Sequence, residues 1–118
     1  MAKNRSDAGP MTARRSARLY QLLLLLSKGP QTREFLLRKL RMLPRGFYRD
    51  LQTLRQLRVG FVLADHHYRL TERFETAIAR LPFPDPLLNW HEALQLSRGR
   101  GPAPKKMKER IRQLTALH

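Results

Sequence analysis

The apolar residues of this chain change their period once, and that change limits the folds open to it. Leu19, Leu22, Leu23 and Leu26 fall at i, i+3, i+4 and i+7, one face of a helix that ends near Lys28-Gly29-Pro30. Thr32 is placed as the N-cap of a second helix, which turns Phe35 or Leu36, Leu37 and Leu40 inward and ends at about Arg41. Pro44 suits the first position of a third helix, where its missing N–H costs nothing. Phe47, Leu51 and Leu54 continue at helical spacing from there, and Leu57 closes the stripe. From Val59 the pattern becomes that of strands. Val59-Gly60-Phe61-Val62-Leu63 is β-branched and aromatic, Ala64-Asp65-His66 can turn, and His67-Tyr68-Arg69-Leu70 alternates.

Thr71 then opens a short helix through Leu81, and Pro82, Pro84 and Pro86 break the chain. Asn89 and Glu92 form a capping box, starting a helix that carries Ala93, Leu94 and Leu96. Gly99, Gly101, Pro102 and Pro104 make a second break, followed by a basic helix with Met107, Ile111 and Leu114 on one stripe. Residues 1–16 hold Gly, Pro, Ser and Asn with no apolar period and read as a disordered basic arm. The expected organisation is that arm, a domain over 17–81, and a helical linker-like extension over 82–118. The fold class is mainly α with a small β-hairpin: a winged helix-turn-helix followed by additional helices.

Charge points to the partner. With 24 Lys and Arg against 9 Asp and Glu, the 118 residues carry a net charge of +15. Phosphate polymers are the commonest partners of such a chain, with anionic lipid and acidic proteins behind them. The absence of cysteine removes disulfides, thiolate metal sites and cysteine nucleophiles together. The longest aliphatic run, Leu22 to Leu26, is far below the ~18 residues of a membrane span, so no membrane partner is expected. Arg33, Arg38 and Lys39 follow it without a small-residue cleavage site, which argues against a signal peptide. The expected location is cytoplasmic, on the nucleoid. No nucleophile stands beside a base and no glycine-rich phosphate loop occurs, so neither an enzyme nor a cofactor is expected.

The run TREFLLRKLRMLPRGFYRDLQTLRQL, ending in the hairpin's HHYRL, resembles the N-terminal DNA-binding domain of the WYL-domain, or DeoR-like, transcription regulators. That family shows a threonine-led helix, a turn, an arginine-rich recognition helix with a YRDL-type motif, and a YRL-type wing strand. WHEALQL is similar to the start of the helical linker that follows in the family, so the resemblance covers roughly residues 17–117. The chain departs from the pattern at Arg41, Leu43 and Gly46, where the family usually has glycine, a capping serine and threonine. The family's ligand-sensing WYL domain has no counterpart in these residues, and no small-molecule effector is expected in this chain. The resemblance implies sequence-specific binding of double-stranded DNA by a transcription regulator. The recognition helix, 44–57, would enter the major groove, with the wing, 59–70, on backbone or minor groove.

With Phe47, Leu51 and Leu54 inward, Arg45, Tyr48, Arg49, Gln52 and Arg55 are expected to point outward. Arginine binds guanine with two hydrogen bonds and glutamine does the same for adenine; a solvated basic face is the plainer alternative. Thr32 and Arg33 open helix two, whose N-terminal N–H groups favour a phosphate, although Thr32 also serves as a simple N-cap. His67 is expected on phosphate or minor groove at the wing. Asp65, His66 and His67 are adjacent on one turn and cannot easily converge on one metal ion. Asp50 would repel phosphate and is expected to pair internally with an arginine of a neighbouring helix. Trp90 is core or an interface anchor. A homodimer is expected from the habit of such domains of reading paired half-sites. Two rivals stand beside this reading: a winged-helix module whose basic face meets acidic proteins, and a binder of structured RNA.

Overall fold

The computed structural model describes residues 11–84 and 88–117, so the first ten positions of the expected arm lie outside the described residues. The chain is mainly helical with a small three-stranded antiparallel sheet, in the order α1 (Ala13–Ser27), β1 (Gln31–Thr32), α2 (Arg33–Leu40), α3 (Pro44–Gln56), β2 (Phe61–Ala64), β3 (His67–Leu70), α4 (Phe74–Ala79), α5 (Trp90–Ser97) and α6 (Pro102–Ala116).

Helix α1 begins earlier than its leucine stripe. Thr12 caps it, its hydroxyl accepting the Arg15 N–H at 3.1 Å. Positions 13–16, expected in the disordered arm, are therefore helical, and Ser16 is fully buried. The Ser16 hydroxyl donates to the Pro82 carbonyl (2.9 Å) and accepts from Trp90 Nε1–H (2.7 Å). An apolar-period test cannot see this segment, because what it buries is a polar side chain whose partners are more than sixty residues away. Thr32 caps α2 as expected, accepting the Phe35 N–H at 3.1 Å, while Leu36 and Leu40 go inward. The helix closes on Arg41 in the left-handed region (φ 52°), with Met42 N–H donating to the Leu37 carbonyl, a Schellman closure. Pro44 opens α3, where Leu43 occupies the N-cap position without a side-chain cap.

The hairpin forms where the period changes. Ala64 pairs with His67 across a two-residue turn in which Asp65 and His66 both have positive φ (52° and 63°), the type I′ geometry that matches strand twist. A third strand was not anticipated: Gln31 and Thr32 pair with Tyr68 and His67 and give the sheet order β1-β3-β2. Two residues are too few to show an alternation. Thr71, expected to open a helix, closes the sheet instead. Its N–H donates to the Gly60 carbonyl (2.9 Å), and Glu72 accepts the Gly60 N–H (2.6 Å). Any Cβ at position 60 would sit 2.5 Å from the Thr71 hydroxyl. Helix α4 accordingly starts at Phe74.

Beyond α4 the capping box of Asn89 and Glu92 is present, and Trp90, fully buried, leads α5 inward. Its ring stacks on Tyr20 of α1 (centroids 4.3 Å apart) and meets Phe83 edge-on. Leu96, expected on the apolar side of this helix, is 51% exposed. Leu114 of α6 is fully buried, with Met107 and Ile111 against the same cluster. Leu19, Phe47, Leu54, Trp90 and Leu114 all belong to one core, so the described part of the 82–118 extension shares the interior of the preceding helices. No helix among the described residues is long and apolar enough to cross a membrane.

Candidate nucleic-acid interface

Helix α3 is held from one side. Phe47, Leu51 and Leu54 enter the core, and at roughly 100° per residue the opposite side of the helix carries Arg45, Arg49, Gln52 and Gln56 in one row. All four are exposed. Tyr48 and Arg55, also exposed, stand on the wing side of that row, and Thr53 on the α1 side. The row presents two guanidinium groups and two amides and no acid.

A partly buried ion pair ties the helix to α1. Asp50, with no exposed surface, receives Arg18 in bidentate fashion, Nε–H to Oδ2 at 2.6 Å and Nη2–H to Oδ1 at 2.9 Å. The hydrogen bond to Asp50 raises the Arg18 pKa, and burial opposes it more weakly. Arg15 adds a longer contact to Asp50 Oδ1 (3.5 Å) and donates to the Thr53 hydroxyl. The internal pairing expected for Asp50 is thus present, and both arginines come from α1. Between α1 and α3 this leaves a cleft of about 240 Å³ lined by Arg15, Arg49, Gln52, Thr53 and Gln56.

On the other flank, Arg33 at the start of α2 donates from Nη1 to the Tyr48 hydroxyl (3.1 Å) and pairs with Glu34 (3.1 Å). The Tyr48 hydroxyl, and after it Glu34, raise the Arg33 pKa; a backbone hydrogen bond and then Arg33 hold the Glu34 carboxyl below its ordinary value. Burial pushes the Tyr68 phenol up. These groups line a wider, open cleft of about 640 Å³ together with Leu63, Asp65 and His66 of the hairpin. The Arg55 guanidinium lies 5.0 Å from the centre of the Phe61 ring, a cation–π contact that ties α3 to β2.

Of the residues selected from sequence, Arg33, Arg45, Tyr48, Arg49, Gln52 and Arg55 lie on or beside this one face. Thr32 is half-buried, its hydroxyl committed to capping α2. His67 stands apart. It alternates with Tyr68, so it lies on the sheet face away from α3, and its Nδ1–H donates to the Asp65 carbonyl at 2.6 Å. His66, rather than His67, faces the cleft beside α3. Two residues that sequence reasoning passed over belong to the face. Gln56 is in phase with Arg45, Arg49 and Gln52 and was legible by continuing the row one turn. Arg15 carried no signal, since its place depends on an acid 35 positions away. No protein-family model matches the chain, and no curated protein matches it.

Proposed function

We propose that this protein binds double-stranded DNA sequence-specifically, as a transcription regulator built on a winged helix-turn-helix. In this reading α3 is the recognition helix and the β2–β3 hairpin the wing. The observation that carries the proposal is the row Arg45, Arg49, Gln52 and Gln56, exposed along a helix tied to α1 through the buried Asp50. Long donors on a rigid helix are what major-groove readout needs. Arg15 and Arg33 flank the row on either side, each held by protein groups, and would meet backbone phosphates, which set register without carrying sequence information. His66 and the Asp65–His66 turn would approach backbone or minor groove. A homodimer on paired half-sites and a location on the nucleoid belong to the same proposal.

The unpaired loops of structured RNA fit less well. Their recognition stacks bases on several aromatic rings, and among the described residues Tyr48 is the one exposed aromatic. The test is the salt dependence of duplex binding. With six or more phosphate contacts, affinity should fall about 10³-fold or more between 50 and 200 mM salt. A nearly flat dependence would remove nucleic acid as the main partner.

A further inference from the structure

The wing has an unprotected edge. In the order β1-β3-β2, strand β2 pairs with β3 alone, and its other side is free among the described residues. The hydrogen-bond phase follows from the turn. Ala64 and His67 close a two-residue hairpin and so form a hydrogen-bonded pair; Val62 and Arg69 form the next, and the Thr71 N–H to Gly60 carbonyl bond continues the same phase. The N–H and C=O groups of Phe61 and Leu63 therefore point away from β3, at strand spacing, with no partner among the described residues.

Edge strands are ordinarily blunted by charge, proline or a bulge. This one reads Phe61-Val62-Leu63-Ala64, with none of these, and Leu63 and Val62 are 56% and 37% exposed. Its surroundings are basic on both faces. Arg55 lies over Phe61 on the helix side, and Arg69 stands opposite Val62 on the outer side. Neither has an acidic partner among the described residues. A second copy of the chain would set these arginines against their own images and add another net charge of +15. A nucleic acid has no strand hydrogen bonds to offer.

We infer that the free edge of β2 docks an extended acidic segment of a partner protein, which adds a strand through the backbone groups of Phe61 and Leu63 and sets its carboxylates toward Arg55 and Arg69. Main-chain bonds supply the affinity and the flanking charge selects the partner. The inference is independent of the DNA reading: it needs the free edge of β2 and not the donor row of α3.

The test titrates the isotopically labelled full chain, without DNA, with a synthetic peptide of repeated Val-Glu-Glu, which carries glutamates on both faces of an extended strand, and follows amide shifts and hydrogen exchange. The Phe61 and Leu63 amides should move and slow in exchange by about tenfold or more, while those of Val62 and Ala64, already bonded to β3, change little. Arg69→Glu, which leaves the backbone intact, should weaken the peptide by about fivefold. Leu63→Pro removes an outward N–H that the β2–β3 ladder does not use and should abolish binding. The helix amides of each variant report whether it has folded. A peptide with lysine in place of glutamate should not bind. Shifts spread over the basic surface with unchanged exchange at Phe61 and Leu63 would overturn the inference. So would protection of those two amides by self-association of the chain, or by duplex DNA but not the peptide.

Discussion

Asp50 shows how one residue can orient a surface row without belonging to it. Its carboxylate is the only buried acid among the described residues, and it is satisfied by two arginines from α1. Replacing it with alanine leaves those partly exposed guanidinium groups without their acceptor, so Asp50→Ala should lower folding stability by about 1.5–3 kcal/mol in denaturant unfolding. Arg45 is the opposite case. It is exposed on the first turn of α3, and Arg45→Ala should leave the unfolding midpoint unchanged while weakening the preferred duplex by about 1–3 kcal/mol, if it contacts a base edge. Specificity would relax at one base position; a contact to phosphate would instead weaken all sequences alike. The outward set of α3 was legible in the sequence because three buried anchors, Phe47, Leu51 and Leu54, determine the helical phase of everything between them. What lay across the chain was not: Arg15 reads as part of a basic arm until Asp50 is brought beside it.

At the level of elements, the α2–α3 turn carries two local conflicts that the fold overrides. Arg41 holds a left-handed conformation that costs an L-residue roughly 1–2 kcal/mol, and Leu43, 79% exposed, occupies an N-cap position that it cannot cap. Arg41→Gly and Leu43→Ser should therefore each raise stability by about 1 kcal/mol in thermal unfolding, and the two effects should roughly add. An unchanged melting temperature in both would contradict strain at Arg41 and a missing cap at Leu43. Helix existence was readable from periodicity and from the caps at Thr32, Pro44 and Asn89. Boundaries failed where hydrogen bonding, not burial of apolar surface, decides them. Thr12 and Ser16 extend α1 backwards, and Gly60 with Thr71 and Glu72 delays α4 to Phe74. Strand β1 escaped because its pairing to β3 is set by the fold rather than by its own two residues.

Across the whole molecule, the core is continuous from α1 to α6, and Trp90 joins its two ends by stacking on Tyr20 while donating to Ser16. Composition shifts at the proline-rich stretch suggest a boundary near residue 81, but a tryptophan placed just after the break carries the interior across it. The shared core holds α3 at the surface, and the net charge of +15 sets up a field that favours polyanionic partners. In the proposed reading that charge alone would bind any nucleic acid, and the donor row on α3 would discriminate among sequences. The proposed function therefore rests on discrimination among sequences. Selection of bound duplexes from a random pool at physiological salt should recover a consensus, and a duplex bearing it should bind about 10³-fold or more tighter than a shuffled one. A pool that stays random through successive rounds, with consensus-free duplexes held as tightly as any, would contradict it.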